Sequence, residues 1–192
     1  MIDPAEVPAD DRLLAVEVRS RRLGFVVFEG PARLLDWGVQ SCSCSTRRLH
    51  EVVAKRVRPL LVRYRPFAVV MRRDNQYSSQ TATRLRISMG AIRREAHRCG
   101  IEIRMVKPKP RKHFFVQLGG DAKHRVAPLI ADLFEELSLM VQPERKAWHS
   151  EGYHTVIFDA AATGLVAFAD EFNPEGVREL IANTKSFRRP PQ

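Results

Sequence analysis

The feature that most constrains the fold is an uninterrupted apolar run at residues 66–71, which read PFAVVM. Apolar side chains at every position, rather than at every second one, are typical of a strand buried on both faces of a parallel sheet. Parallel strands need crossover connections, which are usually helices. The run therefore predicts a central strand in an α/β sheet that has helices on both faces.

Four further segments are predicted to complete a five-stranded mixed sheet. Residues 13–17 and 23–28 are rich in apolar and β-branched side chains and are separated by a short polar segment, which predicts a hairpin. Residues 34–43 alternate loosely and predict a third strand, and residues 101–106 predict the last. We expect the first three strands to be antiparallel, with the fourth and fifth added in parallel beside the first.

Periodic apolar residues predict four helices, at about residues 46–61, 85–98, 121–140 and 154–168. Pro59 is expected to kink the first helix in its last turn or to begin a second short helix. Residues 107–112, which read KPKPRK, are predicted to be an extended loop, because their two prolines hold the backbone extended.

The length of 192 residues fits one domain. We expect an N-terminal tail at residues 1–11, a domain at 12–172 and a partly disordered C-terminal extension at 173–192. No signal peptide is apparent and no apolar run approaches the roughly 18 residues of a membrane span, so a cytoplasmic protein is expected. Cys42, Cys44 and Cys99 lack paired C-x-x-C spacing and are predicted to be reduced, structural thiols.

The positive charge of the chain is concentrated in its middle. Residues 47–125, hereafter the basic segment, hold 21 Lys and Arg against 5 Asp and Glu, whereas the flanking segments are slightly acidic. Such segregation repels itself unless a polyanion relieves it, which indicates nucleic acid as a partner. The alternative is a solvated basic face that serves only solubility.

Four segments carry a resemblance to a known family. They are an opening hairpin at residues 14–27, the apolar strand at 66–71, a Lys-containing stretch at 112–126 (KHFFVQLGGDAKHRV) and the start of the last helix at 158–162 (FDAAA). In order and spacing they resemble the RuvC-like Holliday junction resolvases of the ribonuclease H-like superfamily. The resemblance implies that superfamily's mixed five-stranded sheet, binding of branched DNA and cleavage that depends on Mg²⁺.

The resemblance also implies where an acidic metal site would lie. The first acid of the family pattern falls on Glu17, the second on Arg72, and the pair on the last helix on Val156 and Asp159. Glu17 and Asp159 are therefore the candidate catalytic and Mg²⁺-binding residues. The alternatives are that Glu17 is an ordinary acid at a strand end and that Asp159 is a partner for Arg72 or another arginine.

Candidate nucleic-acid-binding residues lie in or near the predicted loops of the basic segment. Cations there can contact phosphates, and a loop tyrosine can either stack on an unpaired base or be half-buried. The candidates are Arg72, Arg73, Tyr77, Lys107, Lys109, Arg111, Lys112, Lys123 and Arg125.

Three functional hypotheses follow. The first is a RuvC-like protein that binds branched or duplex DNA with weak or lost Mg²⁺-dependent cleavage, because a cation occupies the place of the second acid. The second is an active junction endonuclease whose rearranged metal site also uses Glu151 or His154. The third is an adaptor or RNA-binding protein without catalysis. The resemblance favours DNA over RNA, and the apolar helix faces permit a homodimer.

Overall fold

The computed structural model describes residues 11–73, 79–118, 126–141 and 152–184. Its sheet has the strand order β3-β2-β1-β4-β5, with β1 antiparallel to β2 and parallel to β4. The strands are β1 (Arg12–Val18), β2 (Arg22–Glu29), β3 (Arg33–Ser41), β4 (Ala68–Arg72) and β5 (Glu102–Val106). The predicted ribonuclease H-like sheet is thus confirmed, including the position of the apolar run next to the first strand.

Six α-helices are described. They are α1 (Thr46–Tyr64), α2 (Ser79–Arg98), α3 (Pro108–Gln117), α4 (Val126–Leu133), α5 (Thr155–Ala167) and α6 (Pro174–Asn183). A 3-10 helix, Glu135–Met140, follows α4, and a π-helical turn, Phe168–Phe172, continues α5. None of the helices in the described ranges is long and apolar enough to cross a membrane.

The helices cover the two faces of the sheet and create two cores. Side chains of a strand alternate between faces, so Leu14 and Val16 of β1 pack with α1 and α2, whereas Leu13 and Ala15 pack with α5 and its neighbours. All seven residues of β1 are buried, as expected of a central strand. Its position at the centre brings its carboxyl end into contact with elements from both faces.

Helix α5 lies unusually close to the sheet. Every residue from Val156 to Ala167 is buried. A side chain at Gly24 would overlap the backbone and side chain of Val156, and one at Gly164 would overlap the ring of Phe28. Glycine at these two positions allows the close approach that sets Asp159 of α5 near the end of β1.

The prediction of an extended loop at residues 107–112 was wrong. Pro108 begins α3, and a proline in the first turn of a helix is compatible with helical geometry because its missing N–H would be unpaired there in any case. Only Lys107, the residue preceding the helix, keeps an extended backbone. The cations Lys109, Arg111 and Lys112 are therefore displayed on a helix rather than on an extended strand.

Two predicted helices also differ from those observed. The first continues unbroken through Pro59 to Tyr64. Pro59 has no N–H to donate to the carbonyl of Lys55, but both residues lie on the solvent-exposed side of the helix. The helix predicted at 121–140 is divided at Phe134 into α4 and the 3-10 helix, and its first five residues lie outside the described ranges. In the C-terminal extension, residues 174–183 form α6 and bury Val177.

Candidate functional site

The two candidate carboxylates lie at one end of the sheet. Glu17 is the last residue but one of β1, and Arg72 ends the neighbouring parallel strand β4. Carboxyl ends of parallel strands meet at one edge of a sheet, so these side chains are brought together by topology alone. Asp159 approaches the same edge from α5, which packs on β1 and β2.

Three guanidinium groups hold the two carboxyl groups. Arg72 donates to Glu17 Oε1 at 2.7 Å, Arg19 donates to Asp159 Oδ2 at 2.5 Å, and Arg111 donates to Asp159 Oδ1 at 2.6 Å. Arg19 Nε also lies 3.6 Å from Glu17 Oε1. We call these five residues the arginine–carboxylate cluster. Its two carboxylate residues are almost completely excluded from solvent, since Glu17 is 2% and Asp159 is 4% exposed.

The pKa values of the two carboxyl groups in the cluster are shifted in opposite directions. Burial raises the pKa of Glu17 to about 7 and Asp159 adds to the rise, although Arg72 opposes it. Burial would also raise the pKa of Asp159, but the attraction of Arg111, Arg19 and Arg72 outweighs it and holds that pKa below its ordinary value. Asp159 is thus the stable anion of the pair.

The oxygens of the cluster do not suit a Mg²⁺ ion. Mg²⁺ needs several oxygen ligands in near-octahedral arrangement, whereas three of the four carboxylate oxygens accept hydrogen bonds from guanidinium groups. Of these four carboxylate oxygens, only Glu17 Oε2 is buried with no hydrogen-bond partner among the described residues. The other two family acid positions carry the cation Arg72 and the apolar, buried Val156. No group of three or more His, Cys, Asp or Glu suited to a metal occurs in the described ranges.

The other predicted residues divide into three groups. Arg73, Lys107, Lys109 and Lys112 are exposed to solvent, whereas Arg72 and Arg111 are engaged in the cluster. His154 directly precedes α5, and its ring packs edge-on against Tyr153. Tyr77, Lys123, Arg125 and Glu151 lie outside the described residues.

Sequence reasoning missed Arg19, which joins the two carboxyl groups. Its signal was visible, because the family pattern has Pro-Gly after the first acid and this chain has Val18-Arg19. The pairing itself could not be read from the sequence, because Asp159 lies 140 positions away.

Sequence reasoning also missed Arg84, a structural clamp on α2. It donates to the carbonyl oxygens of Ser20 at 2.6 Å, Cys44 at 3.0 Å and Cys42 at 3.1 Å. These contacts tie the β1–β2 turn, which carries Arg19, to the segment after β3. No sequence signal distinguishes Arg84 from the other arginines of the basic segment.

Comparison with known proteins supports the fold. No protein-family model matches the sequence, and no curated protein matches it significantly. Among solved structures, the chain is similar to RuvC of Thermus thermophilus in complex with a Holliday junction substrate, with a TM-score of 0.62, 21% identity and coverage of 82% of this chain and 93% of that one. A further Thermus thermophilus RuvC structure is similar with a TM-score of 0.61 and 23% identity, and the match covers 82% of this chain and 94% of that one.

The yeast mitochondrial Holliday junction resolvase Ydc2 is similar as well. Its TM-score is 0.58 at 11% identity, and the match covers 93% of this chain and 86% of that one. All three matches cover more than four fifths of both chains, so the likeness concerns the fold of most of the chain. The RuvC-like fold expected from the sequence motifs is therefore confirmed.

Proposed function

We propose that this RuvC-like chain binds branched or duplex DNA and cleaves it weakly or not at all. The observation that carries the proposal is the arginine–carboxylate cluster, which occupies the edge of the sheet where the resemblance puts the acids. The fold supports binding of a junction, and the cluster supports the loss of cleavage.

The loss of cleavage follows from the charges in the cluster. Metal-dependent hydrolysis needs carboxylate oxygens that are free to hold a cation. Here three guanidinium groups surround two carboxyl groups, so positive charge exceeds negative charge before any ion arrives. A unit charge pair at ~4 Å is worth about 4 kcal/mol at an effective dielectric constant of about 20, so a divalent ion would meet strong repulsion from these arginines.

DNA binding is supported by cations placed around the same edge of the sheet. Arg73 follows β4, Lys107 follows β5, and Lys109 and Lys112 lie on α3, all of them exposed. Such side chains contact phosphates without reading sequence. Of the three structural neighbours, one holds a Holliday junction substrate and another is named as a Holliday junction resolvase, which favours branched DNA as the ligand.

The test is binding and cleavage of a labelled four-way junction, with a linear duplex of equal length as the control. We expect the junction to bind at least as tightly as the duplex and to be cut very slowly or not at all with Mg²⁺ or Mn²⁺. Millimolar Mg²⁺ should leave the melting temperature unchanged, because a ligand raises it only by binding the native state. Efficient Mg²⁺-dependent cleavage that is lost in Glu17→Gln would instead establish an active endonuclease. Absence of binding to any nucleic acid would favour an adaptor.

A further inference from the structure

A second basic surface lies next to the cluster, and its arginines come from outside the basic segment. It is a cleft of about 510 Å³ between the β1–β2 turn, the end of β3 and the start of α2. We propose that this cleft binds one unpaired nucleotide of a DNA strand, with the phosphate on Arg21 and the base on Tyr153. The inference rests on the proposed function and identifies which part of the DNA this site takes.

The walls of the cleft have the chemistry of a phosphate site. The lining includes three arginines and four serine or threonine residues, which are Arg19, Arg21, Arg22, Ser20, Ser41, Ser43 and Thr81. None of the described lining residues is acidic. The guanidinium of Arg21 is exposed and has no ion-pair partner in the described ranges, unlike those of the cluster. Guanidinium and hydroxyl donors together match the oxygens of a phosphodiester.

Hydrogen bonds connect the walls of the cleft. Arg84 binds the carbonyl of Ser20 on one wall and those of Cys42 and Cys44 on the other. The N–H of Cys42 also donates to the carbonyl of Arg21 at 2.7 Å. The positions of the walls are thus set before a ligand binds, which lowers the entropy lost on binding.

An aromatic ring at the rim indicates an unpaired base. Tyr153 is 52% exposed, and the guanidinium carbon of Arg22 lies 5.7 Å from its ring centroid. Unpaired bases stack on exposed aromatic rings and on arginine planes, whereas paired bases have their faces covered within the duplex. The volume lies in the usual range of sites for small ligands. An unpaired nucleotide of this kind occurs at an open junction centre or in a single-stranded flap.

Arg19 connects the cleft to the arginine–carboxylate cluster. Its side chain lines the cleft and also contacts Asp159 at 2.5 Å. A nucleotide in the cleft would therefore lie beside the buried acids, at the edge of the sheet where the other exposed cations are found. The cleft and these cations would contact one continuous strand.

The experiment compares two single-stranded probes, a 12-mer of thymidylate and a 12-mer of the same phosphates without bases. The wild-type protein should prefer the thymidylate probe. Tyr153→Ala should reduce that preference about fivefold or more, and Tyr153→Phe should retain it. Arg21→Gln should weaken both probes equally and lower the salt slope of binding by about 0.7.

Arg178→Gln is the matched control, because Arg178 is an exposed arginine of α6 that does not line the cleft. It should leave the preference for the base-containing probe unchanged. If Tyr153→Ala weakens both probes equally, or neither, the inference is overturned. Binding of four-way junctions but of neither 12-mer would refute the nucleotide site and leave the proposed function intact. Absence of all DNA binding would refute both.

Discussion

Arg72 and Glu17 form a buried ion pair that joins the ends of two neighbouring parallel strands, with a hydrogen bond of 2.7 Å between Nη2 and Oε1. Removing Arg72 takes away the hydrogen-bonded cation of a buried carboxylate and leaves Glu17 with the more distant Arg19 at 3.6 Å. We expect Arg72→Met to lower the free energy of unfolding by about 3 kcal/mol at pH 8. Denaturant unfolding measures this loss.

The double variant Arg72→Met with Glu17→Gln should recover most of that loss, because neither charge then remains in the core. The cost of Arg72→Met should also be smaller at pH 5, where Glu17 can take up a proton. Equal losses in the single and double variants would show that Arg72 stabilises the protein through packing rather than through its charge.

A second prediction concerns pH. The folded pKa of Glu17 is raised from 4.5 to about 7, so the folded state holds a proton that the unfolded state has lost between these values. Its contribution therefore makes the free energy of unfolding fall as pH rises from 4.5 to 7, by at most about 3 kcal/mol. Glu17→Gln should remove this slope, whereas the exposed control Glu175→Gln should keep it. If the free energy of unfolding of Glu17→Gln falls with pH as steeply as that of the wild type, the raised pKa does not belong to Glu17.

The ionisation of Asp159 should affect the free energy of unfolding at lower pH than that of Glu17, and it should make the protein more stable, rather than less, as pH rises. Because its folded pKa lies below the ordinary 3.8, its stabilising contribution is present above that value and is lost as pH falls through the folded pKa. Asp159→Asn should thus destabilise the protein at neutral pH, because Arg19 and Arg111 lose their anionic partner. The free energy of unfolding of this variant should also decrease less on acidification than that of the wild type. Urea unfolding from pH 3 to 7 measures both effects.

The close packing of α5 predicts contrasting effects of alanine at two glycines. Gly24→Ala puts a methyl group into the backbone of Val156 and should cost about 1 to 3 kcal/mol. Gly90→Ala in α2 meets only the end of the Arg94 side chain at 3.9 Å and should stabilise the helix by up to about 1 kcal/mol. Thermal unfolding distinguishes them. A neutral Gly24→Ala would indicate that α5 can move away from the sheet.

DNA affinity should depend strongly on salt. The basic segment concentrates cations, and exposed members such as Arg73 and Lys109 are available to phosphates. If about six phosphates are neutralised, the logarithm of the binding constant should fall with the logarithm of salt concentration at a slope of roughly −5. Fluorescence anisotropy of a labelled junction at several salt concentrations gives the slope. A slope near zero would exclude phosphate contacts as the source of affinity.

Patterns of apolar residues were sufficient to predict the sheet. The run at residues 66–71 is apolar throughout because β4 is covered on both faces, and the family motifs placed Glu17, Arg72 and Asp159 at one edge. The proline-containing stretch at 107–112 misled the prediction, because a proline suits both an extended loop and the first turn of a helix. The local sequence does not distinguish these two cases.

The amino-acid sequence was enough to predict which residues of the strands and helices are buried, because local patterns of apolar side chains encode the strands and the faces of the helices. The partner of each arginine was decided only by tertiary structure. Arg19, Arg72 and Arg111 pair with buried carboxyl groups, whereas Arg21 lines an open cleft. No local pattern in the sequence encodes this difference. A long, flexible side chain can reach several groups, and which of them it meets depends on the elements that the fold brings together.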